Sequence, residues 1–309
     1  MDLTKAKALE ITDKELIGRY LRLYPPIISE LTFTNLFIWR NYYYYQFIEY
    51  DDHLVIFSVD YFRKRKKSLS ARSNTLFCLP PIGPTPEKVI HEIFTSIADV
   101  EIHRIPISLS ERICAERKSS YQGFKVLIDP DNWDYVYKRE KLLTLAGRKL
   151  YRKRRWLNRF LEKYPAHEFH LFSEEWLEAC LKLQIEWCDM TECRANEDLI
   201  AEQEAILEAF NHYSELDFRG GLILLDGKCI AYTLGEKLNE DTAVIHIEKA
   251  LSEYDGAYQA INNSFVTKCC RDVNFINREQ DLGDPGLRKA KQSYYPDFMV
   301  EKSVLVRSV

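Results

Sequence analysis

The spacing of apolar and polar positions changes repeatedly along the chain, and each change marks an element. Helical spacing opens at Thr12-Asp13, runs to about residue 23 and stops at Pro25-Pro26. FTNLFIWRNYYYYQF predicts a short helix followed by a strand entering a core, and DDHLVIFSVDYF a turn and then a strand rich in β-branched and aromatic residues. Residues 76–79 read as a strand before a Pro-Gly break, 87–98 as a helix, EIHRIPIS as a strand, SLSERICAER as a helix and YQGFKVLIDP as a strand. This alternation predicts a first α/β unit over residues 1–137.

Beyond it, Leu150, Leu157 and Leu161 share a helical face, with Pro165 as the stop. Residues 175–190 and 198–213 have helical spacing. A hairpin follows, with strands at 222–225 and 229–234 around Asp226-Gly227. TAVIHIEKA is a third strand, and DGAYQAINNSFVTKCC a glycine loop and a helix. DVNFINREQDL is a fourth strand leaving through Gly283, PGLRKAKQSYYP a short helix and FMVEKSVLVRSV a closing strand. That order predicts a second mixed α/β (α+β) domain over residues 138–309, opened by a basic helix.

Composition narrows the class. With 309 residues and 46% hydrophobic content the chain can fill two cores, which argues against disorder. The net charge of -4 does not mark a strongly basic nucleic-acid binder. Charge is uneven, however. Between Lys138 and Lys163 eleven basic residues face two acidic ones, and the stretch from Glu168 to Glu208 is mostly acidic. There is no apolar run of eighteen residues and no apolar signal core at the N-terminus, so a cytoplasmic protein without a membrane span is expected. The eight scattered cysteines read as mostly reduced thiols.

Four constellations offer chemistry. In Tyr254-Asp255-Gly256-Ala257-Tyr258, backbone N–H groups at a helix start could receive a phosphate or an oxyanion, with Gly256 admitting a close approach or a left-handed turn. An ordinary capped turn is the plainer reading. In HIEKA, His246 and Glu248 point to one face of a strand, as a proton-relaying pair or as a buried polar pair. In Asn277-Arg278-Glu279-Gln280-Asp281, charges crowd a strand end, with Glu279 and Asp281 on one face. Arg288, Lys289 and Lys291 follow on the next helix. These groups suit an amine and an anionic group, or a structural ion-pair network. The fourth is the basic helix with Arg148, Lys149, Arg152, Lys153, Arg155 and Arg159, suited to a phosphate backbone or to an anionic lipid surface, and also readable as a solvated linker helix. No G-x-S-x-G, H-E-x-x-H, dinucleotide or P-loop motif occurs, and the dispersed histidines predict no metal centre.

The stretches FTNLFIWR, LAGRKLYRKRRWLNRF, GGLILLDGKCIAYTLGEKL, HIEKA, GAYQAINNSF and INREQDLGDPGLRKAKQSYYP together resemble a soluble bacterial family related to the C-terminal domain of phosphatidylglycerol lysyltransferases. The resemblance extends from near Thr32 to Pro296. It implies tandem GNAT-like folds of the acyl-CoA N-acyltransferase type, each a mostly antiparallel mixed sheet flanked by helices. It further implies transfer of an activated acyl or aminoacyl group to an amine or hydroxyl acceptor, with no separate cofactor. The donor would be an aminoacyl-tRNA; the alternatives are an acyl-CoA donor with a small amine acceptor, or a non-catalytic binding protein on the same scaffold. Under this reading Glu248, Glu279 and Asp281 are the catalytic candidates. Substrate would meet His246, Asp255, Gly256, Ala257, Tyr258, Asn277, Arg278, Arg288 and Lys291, and tRNA the cations from Arg148 to Arg159. Of the Q/R-x-x-G-x-G/A signature for acetyl-CoA, Glu253–Tyr258 is only a shortened echo.

Overall fold

Strand pairing sorts the elements into two seven-stranded sheets in a computed structural model that describes residues 1–65, 75–116, 124–193 and 196–307. One compact unit is formed by Met1–Trp133 with Val300–Val309, the other by Asp134–Met299.

In the first unit the strands are Lys7–Ala8 (β1), Gln46–Tyr50 (β2), His53–Ser58 (β3), Leu76–Cys78 (β4), Val100–Pro106 (β5), Phe124–Ile128 (β6) and the C-terminal Lys302–Arg307 (β14). Their order is β1-β2-β3-β4-β5-β14-β6, with β4 and β5 parallel and their neighbours antiparallel. The helices are Lys14–Leu23 (α1), Phe33–Ile38 (α2), Arg40–Tyr43 (α3), Tyr61–Arg65 (α4), Pro86–Ser96 (α5) and Ile107–Glu116 (α6). The Thr32 hydroxyl starts α2 by accepting from the Asn35 amide at 3.0 Å. Pro86 opens α5, where its missing N–H has no cost, and α5 buries Val89, Ile90, Ile93 and Phe94 against Ile102, Ile105 and Leu305.

The second unit contains Asp134–Lys138 (β7), Glu168–Leu171 (β8), Arg219–Leu225 (β9), Lys228–Lys237 (β10), Thr242–Ala250 (β11), Phe275–Asn277 (β12) and Phe298–Val300 (β13), in the order β13-β7-β12-β11-β10-β9-β8. β11 and β12 run parallel, whereas β12–β7, β11–β10, β10–β9 and β9–β8 are antiparallel. Its helices are Arg139–Thr144 (α7), Tyr151–Lys163 (α8), Leu177–Met190 (α9), Glu197–Asn211 (α10), Ala257–Cys269 (α11) and Pro285–Gln292 (α12). Phe265 and Val266 of α11 pack on Ala243, Ile245 and Ile276, and Phe160 of α8 joins Ile223, Ile230 and Ile261.

The mixed, helix-flanked sheets agree with the fold expected from the sequence. The division of the chain differs from 1–137 and 138–309. β7, not anticipated as a strand, belongs to the second sheet, and the closing stretch FMVEKSVLVRSV splits at Glu301 between the two sheets. Within the first sheet β14 lies between β5 and β6; within the second, β7 lies between β12 and β13. A short apolar run shows that a strand forms, but its partner is decided by tertiary pairing. The expected fourth strand is also shorter, because Glu279 and Leu282 adopt left-handed backbone at φ 57 and 53 and end the extended run at Asn277. Cys188 and Cys193 are joined as a disulfide with their Cα atoms 5.0 Å apart, an exception to the mostly reduced thiols expected. The end of α9 and the turn after it bring this pair together. The other six cysteines are free.

Candidate functional site

The second sheet opens between its two parallel strands. β11 and β12 pair only over Thr242–Val244 and Phe275–Asn277. β11 then runs on to Ala250, while the chain past Asn277 turns away. β11 also carries a bulge. Leu234 stands opposite Ile247 and Gly235 opposite Ile245, which leaves His246 as the extra residue. Gly235 permits this close approach, since a Cβ there would lie 2.2 Å from the Val244 carbonyl oxygen.

The bulge breaks the strand alternation, so His246 and Glu248 do not share a face or partners as the regular spacing predicted. His246 is held between two carboxylates, Nε2 2.8 Å from Glu236 Oε1 and Nδ1 2.7 Å from Glu279 Oε1. Burial alone would lower its pKa, but the two glutamates outweigh burial and raise it to about 10, so the ring is an imidazolium at neutral pH. Glu248 instead accepts from Asn262 Nδ2 of α11 at 2.7 Å and from Arg278 Nη2 at 2.7 Å. The Arg278 guanidinium lies 4.9 Å from the Tyr294 ring centre. Two ion pairs, His246–Glu279 and Arg278–Glu248, therefore span the opening from β11 to the chain beyond β12.

Glu279 and Asp281, expected on one strand face, go to different partners once the strand ends. Asp281 is buried, accepts from the Tyr135 hydroxyl at 2.5 Å and from Arg288 Nε and Nη2 at 2.9 Å each, and caps the Gly283 amide. Desolvation opposes its charge, but these donors hold its pKa below the usual carboxylate range. Asn277 donates to Asp134 Oδ2 at 3.0 Å and accepts the Glu279 amide at 2.8 Å, which fixes the left-handed turn. Lys291 donates to the Gln280 carbonyl, and burial lowers its pKa to about 8.

The loop at Gly256 has a packing role. Gly256 is left-handed at φ 87, as one of the two readings required, and the close approach comes from α8: a Cβ would meet the Trp156 carbonyl oxygen at 2.3 Å. Asp255 pairs with Arg159 at 2.8 Å and reaches Lys163 at 3.6 Å. Ala257 is buried and donates to the Tyr254 carbonyl, and Tyr258 accepts the Trp187 indole N–H at 3.0 Å. On α8 and just before it, Arg148, Lys149, Arg152, Arg155 and Arg159 are exposed. Lys153 differs. It is half-buried, 4.2 Å from the Tyr294 ring centre, and its pKa is pushed down to about 8 by burial and by the nearby Arg278 charge.

The structure thus pairs His246 with Glu279 and Glu248 with Arg278 across the opening and sets Asp281, Arg288 and Lys291 along the same stretch of chain. It adds Glu236, Asn262 and Tyr135, which the sequence reading missed, sets the Tyr294 ring beside Arg278, and turns Lys153, expected on the basic surface, inward. One signal for Lys153 was available, since it shares the helical face of Leu150 and Leu157. Gly235 within a strand was a signal for the bulge. Among the described residues no group of three or more His, Cys, Asp or Glu is placed to hold a metal ion. Among the same residues no helix is long and apolar enough to cross a membrane.

The family described as phosphatidylglycerol lysyltransferase, C-terminal, matches residues 21–306. A conserved protein of unknown function from Bacteroides thetaiotaomicron is 29% identical, with a TM-score of 0.87 over 98% of this chain and 99% of that one. L-PGS from Bacillus licheniformis is 15% identical, with a TM-score of 0.63 over 98% of this chain and 94% of that one. An uncharacterised protein of Mycoplasmoides gallisepticum is 23% identical over 189 residues, which is 57% of this chain and 56% of that protein, so the match spans only about half of the relative's length. The fold is a mixed α+β fold related to that of the lysyltransferase C-terminal domains and of FemX.

Proposed function

The chain belongs to the family of phosphatidylglycerol lysyltransferase C-terminal domains, and we propose that its second unit transfers an activated aminoacyl or acyl group to an amine or hydroxyl acceptor. The observation that carries this reading is the opening between β11 and β12, spanned by Glu248–Arg278 and His246–Glu279. A ligand reaching these groups would meet fixed, largely desolvated charges of both signs, where orientation and electrostatics act most strongly.

In the proposed step the acceptor nitrogen or oxygen attacks the donor carbonyl carbon. The new C–N or C–O bond forms as the ester C–O or thioester C–S bond breaks. Glu248 takes up the acceptor proton or orients the attacking atom, and the proton passes to the departing oxygen or sulfur. Glu279, held by His246, orients the acceptor amine. Arg278 is a candidate for an anionic part of either substrate. Asp281 acts through Arg288 and Tyr135 as a positioning residue, because each of its buried oxygens already accepts two donors, where each Glu248 oxygen accepts one. An activated ester or thioester needs no covalent enzyme intermediate.

Two features favour an aminoacyl-tRNA donor over acyl-CoA. Arg152, Arg155 and Arg159 recur along one exposed face of α8 and can follow a phosphate backbone. The space beside Gly256, where the shortened CoA signature falls, is filled by the α8 backbone. The test is donor consumption by the purified chain, with labelled aminoacyl-tRNA and acyl-CoA compared side by side over a range of salt and acceptors. Acceptor-dependent loss of the aminoacyl ester, weakening with salt, supports this donor. Loss of acyl-CoA alone transfers the assignment to an acyl-CoA N-acyltransferase. Consumption of neither donor favours a non-catalytic ligand-binding protein.

A further inference from the structure

α12 carries a second feature that neither the ion pairs of the opening nor the Gly256 loop uses. One of its faces forms a depression of about 550 Å³ lined by Pro285, Arg288, Lys289, Gln292, Ser293 and Tyr295. Two of these residues are cations and three more carry neutral hydrogen-bonding groups, with no carboxylate among the six. The neighbouring acids are engaged elsewhere: Asp281 with Arg288, Asp284 as the α12 cap toward the Leu287 amide, and Asp297 with Lys141 at 2.7 Å. The Lys289 ammonium, the Gln292 carboxamide and the Tyr295 hydroxyl have no hydrogen-bond or ion-pair partner among the described residues. Lys149 adds a further cation at the rim, 5.4 Å from the Tyr295 ring centre. The uncommitted Lys289, Gln292 and Tyr295 groups, with the Asp281-paired Arg288 beside them and no carboxylate in the lining, suit an oxyanion with several acceptor oxygens.

The same helix touches the opening. Arg288 is fixed to Asp281 by two hydrogen bonds, and Lys291 donates to the carbonyl of Gln280, the residue after Glu279. We propose that this depression binds the phosphate ester of a substrate whose reactive end enters the opening between β11 and β12. The inference rests on the transfer reading above and gives a phosphate of one of its substrates a place to bind.

The test begins with glycerol 3-phosphate as the probe and glycerol as the control, titrated into the full chain and followed by amide resonances and calorimetry. Glycerol 3-phosphate is expected to bind and to shift resonances of α12, and glycerol is not. Lys289→Glu and Gln292→Glu replace exposed groups, so melting temperatures stay unchanged while affinity falls about tenfold for each, the worth of one charge-assisted hydrogen bond. Two further pairs separate the sources of the phosphate: CoA against dephospho-CoA, and a CCA trinucleotide with and without its 5′ phosphate. A phosphate-dependent gain in either pair that Lys289→Glu abolishes supports the site and identifies the source. If glycerol 3-phosphate shifts no α12 resonance, or if Lys289→Glu leaves its affinity unchanged, the proposal is overturned. Glu248→Gln separates this inference from the transfer reading, since it is expected to remove turnover and to leave phosphate-ester binding intact.

Discussion

At the residue scale, two side-chain environments decide what the candidate site can do. His246 lies between Glu236 and Glu279 and holds its proton to about pH 10. Because this lies above the ordinary value of 6.5, the ring's contribution to stability is fully present below about pH 6.5 and is lost as pH rises through about 10. Imidazole nitrogen resonances followed with pH are expected to stay those of the cation well past neutrality, and titration near 6.5 would break the assigned sandwich. Gly256 makes a steric prediction. Gly256→Ala adds a Cβ at 2.3 Å from the Trp156 carbonyl oxygen to a backbone at φ 87, and should lower stability by about 2 kcal/mol or more in denaturant unfolding. Much of this was legible in the residues. HIEKA and NREQD stood out as charged segments in core strands, and Gly256 as a position of close approach. Their partners were not legible, because a bulge at His246 and left-handed backbone at Glu279 reassign directions that strand periodicity takes as fixed.

At the scale of elements, α8 has two faces with different roles. Arg152, Arg155 and Arg159 are exposed, whereas Lys153 turns toward Tyr294 beside Arg278. If α8 follows a phosphate backbone, Arg152→Glu with Arg155→Glu should weaken tRNA binding and flatten its dependence on salt, losing roughly one unit of log–log slope for each contact removed. Binding at several salt concentrations measures this. Lys153 turns away from that exposed face toward Tyr294. With its pKa pushed down to about 8, its neutral fraction grows as pH rises through that value. A kcat/KM that climbs with a midpoint near pH 8 in the wild type, and loses that limb in Lys153→Arg, would assign it proton transfer. An unchanged profile would leave it a packing role. The helix itself was readable from Leu150, Leu157 and Leu161, and the same spacing places Lys153 on their face. Its basic composition, however, drew all its cations into one expected surface.

At the scale of the molecule, strand exchange sets what can be removed. β14 is sequence-distant from the strands it pairs with, yet it lies between β5 and β6, and Lys302 on it is fully buried against Glu30 at 2.7 and 2.8 Å. Truncation after Met299 should therefore expose two strand edges in the first unit and make the chain aggregate, as read by sedimentation and loss of cooperative unfolding. Sequence patterning foresaw the two mixed sheets and most strands between 46 and 250. It could not assign β7 and β14 to their sheets, since pairing between distant segments leaves no local signature. The central claim concerns the opening in the second sheet, and its most direct measurement is acceptor-dependent donor consumption by wild type and Glu248→Gln at matched folded concentration. Removing a group that handles the acceptor proton should slow turnover on the order of 100-fold or more with the melting temperature little changed. A folded Glu248→Gln chain that turns over like wild type would contradict the assignment of the chemistry to this opening.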